Sequence, residues 1–282
     1  PAFKASLEKG WKVAGYDAPQ WGARTPVMID LSPVANFIAY NLNLDVPAHE
    51  FEKATKDFFK RVNEELGWMY ETLHTDGKTK GRINYVVWSE VFSCPNCTGD
   101  VVFMKEAYDE KTGKFSEEFQ CPHCKSAMTT RTAEHRFSTV FDQAINKTVP
   151  RLDFMPVEIE YSILGEKGKH RKKPEPADLA LIERLEKEPP RGRFPTYAIP
   201  ESIYHYSRLE PKGVTHFHQL YLPRALHALA VMWDITGEWP DARTRGFVKF
   251  MVEQCIWGMT RMNRYGSDFY SQVNRFMSGV FY

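Results

Sequence analysis

Four of the five cysteines fall in two Cys-x-x-Cys pairs, Cys94-Pro95-Asn96-Cys97 and Cys121-Pro122-His123-Cys124. A thiolate is a soft anionic ligand, and two sulfurs on one tight turn reach the same ion, so two such turns offer four sulfurs to one metal. The spacing predicts a tetrahedral zinc site of the ribbon type. With every coordination position taken by Cys94, Cys97, Cys121 and Cys124, none is left for an activated water, and the zinc is expected to be structural. The other reading of the same residues is unligated thiols or a redox pair. Cys255, the fifth, lies in an apolar helical pattern.

Other residues carry candidate chemistry of their own. Lys78, Lys80 and Arg82 lie in a polar, glycine-punctuated loop from His74 to Arg82. With Arg131 and Arg136 they are candidates for nucleic-acid phosphate contacts, against the alternative of an ordinary solvated face. His216 and His218 flank Phe217 with no acid or cysteine near them in sequence, which favours ordinary histidines over a second metal site. Asp153, Glu158 and Glu160 describe the polar edge of a strand rather than paired carboxylates for acid–base catalysis. Neither a Gly-x-Ser-x-Gly stretch nor a phosphate loop ending in Gly-Lys-Ser or Gly-Lys-Thr occurs, so hydrolase and nucleoside triphosphatase readings lack support.

The elements that must position these residues can be read from periodicity. Thr25 to Asp30 is a short apolar run predicted as a strand, and Leu31-Ser32-Pro33 leads into a helix capped by Ser32 with Pro33 at its first position. Phe51, Ala54, Phe58, Val62 and Leu66 recur every three or four residues, which predicts an amphipathic helix ending at Gly67. Ile83 to Phe92 is rich in β-branched and aromatic residues and feeds directly into Cys94. Val101 to Met104 and Val157 to Ile163 are further strands, with a turn at Lys111 to Lys114. Helical patterns follow at Ala177 to Lys187, Leu222 to Ile235 and Thr244 to Met262, and Pro189-Pro190 interrupts regular structure between the first two.

With 282 residues, 43% of them hydrophobic, the chain can bury a large core. Its 37 basic and 36 acidic side chains nearly cancel, so any contact with nucleic acid must come from local patches. No signal peptide is evident, and no apolar run approaches the roughly 20 residues that cross a bilayer. A cytoplasmic protein with no membrane partner is expected, where paired cysteines favour metal over disulfides.

Several stretches, taken in order, carry a family likeness. They are Ile29-Asp30-Leu31-Ser32-Pro33 with Phe37 to Asn41, Gly67 to Thr72, Gly81 to Tyr85 with Val87-Trp88-Ser89, and Val91 to Pro95. The second cysteine pair, Gly213 to His218, Met262 to Tyr265 and Met277-Ser278-Gly279 follow. The chain resembles the middle portion of prokaryotic amino-methylating, adenine-specific DNA methyltransferases that carry an inserted zinc ribbon. The resemblance implies an α/β fold: a partial Rossmann-like methyltransferase domain with an inserted four-cysteine zinc-ribbon module and additional helices. It implies S-adenosylmethionine as cofactor, with Asp30 hydrogen-bonded to the ribose hydroxyls, and DNA as substrate. The family's Phe-x-Gly-x-Gly loop and Asp-Pro-Pro-Tyr stretch do not occur here, so the chain is expected to be a fragment or one subunit of a split enzyme. Its partners would be the remaining methyltransferase segments, and alone it should show little or no catalysis.

The resulting organisation is a partial Rossmann-like segment over 1–73, a zinc-ribbon insertion over 74–150, a strand with a basic, proline-rich linker over 151–212, and a helical segment over 213–282. A non-catalytic zinc-ribbon module binding nucleic acid or protein is the alternative, since a ribbon alone does not name a function.

Overall fold

Ser32 ends an irregular stretch and starts a helix. In the computed structural model, which describes residues 27–205, 209–266, 272–273, 277 and 279–282, helix α1 spans Pro33–Asn43. The Ser32 hydroxyl accepts from the Ala35 amide at 3.4 Å, and Pro33 takes the first position. This helix belongs to the first of two units into which the chain divides, Pro1–Leu44 and Asp45–Tyr282. The expected strand before it is corrected: residues 27–30 belong to no strand, while Thr25 and Pro26 lie outside the described residues. The Asp30 carboxylate accepts from the Ser32 amide at 2.7 Å, and the Asn36 side-chain amide donates to the Asp30 carbonyl at 2.8 Å. The acid folds back on its own chain instead of extending along a sheet.

In the second unit, α2 (Ala48–Leu66) buries Ala54, Phe58 and Leu66 as its spacing predicts. Gly67 does not stop it in a left-handed cap; its φ is −55°, and the chain tightens into a 3₁₀ turn, Gly67–Tyr70. Phe58, Leu66 and Met69 join Leu185 of α3 (Pro176–Lys187), Val231 and Ile235 of α4 (Pro223–Thr236), and Val248 and Val252 of α5 (Ala242–Glu253) in one core. A fully buried phenylalanine such as Phe58 contributes about 1.5–3 kcal/mol. Helix α5 ends earlier than its apolar pattern suggests, and a separate turn, Cys255–Gly258, follows. Side chains capture the backbone there: Thr260 Oγ1 donates to the Trp257 carbonyl at 2.9 Å and Asn263 Nδ2 to the Gly258 carbonyl at 2.8 Å.

The sheet is built on one long strand. Strands β1 (Glu71–Leu73) and β2 (Lys80–Ser93) form a hairpin around the 74–79 loop. Beyond β2 come β3 (Asp100–Val102) and the small hairpins β4 (Tyr108–Asp109) with β5 (Lys114–Phe115) and β6 (Glu118–Gln120) with β7 (Ala127–Thr129). Next are β8 (Glu134–His135), the hairpin β9 (Phe137–Asp142) with β10 (Lys147–Leu152), β11 (Phe154–Ile163) and β12 (His170–Lys172). Strands β13 (Asn263–Arg264), β14 (Gln272–Val273) and β15 (Val280–Phe281) complete the set. The sheet order is β12-β11-β2-β15-β13-β14, with β1, β3 and β8 also paired to β2.

Strand β2 pairs with β11 from Gly81↔Ile163 to Glu90↔Phe154, with register shifts at Pro156/Glu158 and Glu160/Tyr161. Pro156 has no amide to donate, which suits an irregular position. Gly81 is required here by a close approach: a Cβ would stand 2.3 Å from the Tyr161 ring. Every named strand pair among the described residues is antiparallel. The fold is mixed helix and sheet, and the described residues contain no parallel, Rossmann-type pairing. The expected strand at Val101 to Met104 stops at Val102, because Phe103–Ala107 turns into a short helix that carries Phe103 onto Phe92, Phe115 and Phe119. Ser278 of the family stretches lies outside the described residues. Among the described residues no helix is long and apolar enough to cross a membrane.

Candidate metal centre

The last residues of β2 deliver the first cysteine turn. Val91, Phe92 and Ser93 pair with Val102, Val101 and Asp100 of β3, while Phe92 and Ser93 also pair with His135 and Glu134 of β8. The chain then turns at Cys94, whose amide donates to the Gly99 carbonyl at 2.9 Å and whose carbonyl accepts from the Thr98 amide at 2.8 Å. The second turn repeats this pattern. The Cys121 amide donates to the Ser126 carbonyl at 3.0 Å, and its carbonyl accepts from the Lys125 amide at 3.0 Å. The two turns face each other across Gly99, where a Cβ would stand 2.5 Å from the His123 ring, and His123 Nε2 lies 3.1 Å from the Asp100 carbonyl.

These turns bring four sulfurs within 4.8 Å of one another. Cys94 and Cys124 are 3.7 Å apart, and Cys97 and Cys121 are 3.6 Å apart. Sulfurs about 2.3 Å from one ion in a tetrahedron stand about 3.8 Å from each other. The cluster therefore has the dimensions to hold one metal ion such as zinc. Cys94 and Cys121 are buried, while Cys97 and Cys124 are exposed. A core of Phe92, Val101, Ala107, Phe119 and Met128 packs around the two buried cysteines.

Ser126 prepares the sulfurs for a cation. Its hydroxyl lies 3.6 Å from Cys94 Sγ and 3.1 Å from Cys124 Sγ. That hydrogen bond, aided by the Asn96 and Cys97 amides, brings the Cys94 thiol down to about 6 against the opposing effect of desolvation. Ser126 also lowers Cys124, through its hydroxyl first and its amide second. Cys97 goes the other way. The Gly99 amide lowers it, but desolvation and the Cys124, Cys121 and Cys94 sulfurs together push it up to about 12. Four clustered sulfurs cannot all be negative without a positive ion among them, and a bound cation reverses that balance.

Behind the centre lies a buried polar group that spacing alone did not disclose. Glu90 on β2 accepts from Lys212 Nζ at 2.7 Å and pairs with His135 Nδ1, and His135 stacks on Phe92 with ring centroids 5.6 Å apart. Burial raises the Glu90 carboxyl, but His135 and Lys212 outweigh it and hold it below the ordinary value. Its sequence signal is an acid inside the β-branched and aromatic run from Ile83 to Phe92. Ser126, two residues after Cys124, likewise carries no spacing signal of its own.

The remaining candidates are dispersed. Lys80 is paired with Glu71 at 2.7 Å, and Arg82 donates to the Gly67 carbonyl at 3.3 Å and to Asn63, so both are engaged within the fold. Lys78 is exposed, its amide held by Asp76 at 2.9 Å. Arg136 pairs with Asp100 and Asp153, and His218 Nε2 lies 2.8 Å from Asp142 Oδ2. Asp30, in the first unit, is exposed. No protein-family model, curated protein or solved structure matches this chain.

Proposed function

We propose that this chain is part of a site-specific DNA adenine N6-methyltransferase that uses S-adenosylmethionine, and that its four cysteines hold one structural zinc ion. The observation carrying this reading is the order of the stretches from Ile29 to Gly279, with both cysteine turns lying between Gly81-Arg82-Ile83-Asn84-Tyr85 and Gly213-Val214-Thr215-His216-Phe217-His218. A four-thiolate ion has no open position for substrate, so its role here is to fix the ribbon, not to act on the methyl group. Methyl transfer to an exocyclic amine needs the sulfonium in line with the nitrogen and the extruded base gripped by its polar edge. The glycine loop and the Asp-Pro-Pro-Tyr stretch that would do this are absent from the sequence. Other segments must supply them.

In this reading Asp30 orients the cofactor. A carboxylate accepting two ribose hydroxyls loses both bonds in Asp30→Ala, each worth about 1.5–3 kcal/mol. Calorimetry on the complete or reconstituted enzyme should show S-adenosylmethionine binding weakened on the order of a hundredfold or more, with metal content unchanged. Unaltered affinity would remove the methyltransferase reading.

The geometry of Asp30 favours a second reading. Its carboxylate accepts the Ser32 amide just ahead of α1, as expected of a residue that only shapes a turn. The chain would then be a non-catalytic zinc-ribbon module that binds nucleic acid or protein. Zinc-dependent DNA binding by the purified chain, together with indifference of the complete assembly to Asp30→Ala, would favour it.

A further inference from the structure

Within the Asp45–Tyr282 unit, β11 pairs with one edge of β2 from Gly81 to Glu90, while the other edge is divided among shorter strands. Among the described residues, β1 pairs with that other edge as far as Arg82, and β15 takes it up again at Trp88, which stands across from Phe281. Between these ends lie Ile83 to Val87, a stretch of about 16 Å at about 3.3 Å per residue. Val86 is turned toward it. The Glu90 amide donates to the Gly279 carbonyl at 2.7 Å on the β15 side, and backbone groups along a strand face alternate edges, so those of Trp88 and Val86 face the same way as those of Glu90. Ile159, across the β11 edge, is the one described residue in register with Val86. On the β15 edge the Val86 N–H and C=O meet no described partner. Val86 is 6% exposed, and backbone groups so deeply placed are costly to leave unmatched.

The pairing of β15 points along this same stretch. Val280 stands across from Ser89 and Phe281 across from Trp88, so β15 runs antiparallel to β2 and toward Val87. On that line, the position two places beyond Phe281 falls across from Val86 and shares its face of the sheet. That face is apolar: Ile83, Val86, Trp88 and Phe281 belong to one core. Beside the stretch is a cavity of about 170 Å³ lined by Ile83, Val86 and Trp88, with Tyr70, Ile182 and Phe281 among its walls. It is well below the roughly 300 Å³ of pockets that hold whole ligands, so it suits one or two inward-facing side chains of a strand laid along β2.

We infer that the edge of β2 between β1 and β15 is a strand-acceptor site, filled by an extended segment that runs antiparallel to β2 in line with β15, pairs its backbone with Val86 and sets an apolar side chain into the cavity. Strand addition draws its affinity from main-chain hydrogen bonds and its selectivity from alternate side chains, and both are on offer here. Continuity with the β15 pairing selects a strand over a helix or a small molecule, because neither of those matches a donor and an acceptor at strand spacing. The occupant is a segment of the remaining methyltransferase polypeptide. That choice of occupant rests on the methyltransferase reading; the open edge does not.

Residue-resolved hydrogen exchange at the Val86 amide tests the site in three samples. They are the full metal-loaded chain, the complete or reconstituted enzyme, and the chain with Val-Thr-Val-Thr appended to Tyr282, which places the first valine across from Val86. Relative to the chain alone, exchange should slow about tenfold or more in the other two. A fourth sample, with Pro-Thr-Val-Thr appended instead, should exchange as fast as the chain alone, because the proline ring replaces the N–H that faces the Val86 carbonyl. Exchange already slow in the chain alone, or equal slowing by the proline version, would overturn the acceptor site. Protection by the appended strand but not in the complete enzyme would overturn the occupant, as would protection that grows with the concentration of the chain alone, which would give the edge to a second copy. None of these readouts involves S-adenosylmethionine, so failure at Val86 and indifference of cofactor binding to Asp30→Ala are separate results.

Discussion

Thr98 and Lys125 occupy the same place in the two cysteine turns, each directly after the second cysteine of its pair and each left-handed, with φ of 57° and 63°. The left-handed region costs a residue with a Cβ about 1–2 kcal/mol, and a β-branched one is the least suited to it. The protein tolerates this twice, at the positions where each turn must close to bring its sulfurs together.

Thr98→Gly should therefore stabilise the metal-loaded protein. Relief of the left-handed cost, less about 0.5–1 kcal/mol for glycine's greater freedom when unfolded, leaves a gain of about 0.5–1 kcal/mol. Denaturant unfolding would measure it. A loss instead would mean that the Thr98 Oγ1 bond to the Cys97 carbonyl, 2.7 Å long, outweighs the strain.

Cys94→Ser or Cys121→Ser should abolish stoichiometric metal binding and unfold the Cys94–Thr129 region. Metal binding supplies roughly 10 kcal/mol or more to modules of this kind. A chelator should do the same to the unsubstituted protein. Metal analysis with thermal melting reads both effects, and a variant that kept its metal and its melting profile would remove the four-thiolate centre.

Ser126→Ala should leave the fold intact but weaken the metal about 10–100-fold, because the hydroxyl that supports Cys94 and Cys124 is gone. Competition with a coloured zinc chelator gives the number. Unchanged affinity would reduce Ser126 to a bystander.

Glu90→Gln should destabilise the protein by about 3–5 kcal/mol, since it leaves Lys212 without its buried counter-charge. The Glu90 carboxyl is held below its ordinary value, so its contribution is complete above the unfolded value of about 4.3 and fades as acid carries the solution through the lower folded value. The stability difference between the two proteins should stay constant above about pH 5.5 and shrink below about pH 4.5. A difference that persists at the acid end would assign the effect to packing.

Local patterns were legible where one stretch of chain decides its own structure. The cysteine spacing pointed to the cluster, the three-and-four spacing from Phe51 to Leu66 marked α2, and the β-branched run marked β2. What the sequence hid was settled by distant partners. Lys212 reaches Glu90 from 122 residues away, Arg82 is bonded to the Gly67 carbonyl and the Asn63 side chain, and aromatic packing on Phe103 cuts its strand short. The strand expected to end at Asp30 was hidden for a different reason: an acid before Leu-Ser-Pro looks alike whether it ends a strand or closes a turn, and residues 27–30 belong to no strand.

Strand β2 runs from the hairpin at Lys80 to Ser93 without a break, and Cys94 follows immediately. At about 3.3 Å per residue its 14 residues make a strand some 46 Å long. The four-cysteine cluster is thus spliced into the sheet's own backbone, not hung from it by a tether. An engineer who excised it and closed the gap with a short loop would strip Val91 and Phe92 of their partners in β3 and β8. The result would be a raw, apolar strand end, prone to pair with other copies. A graft to another protein should accordingly carry the final residues of β2 with it, because the cut that looks natural in sequence passes through a sheet.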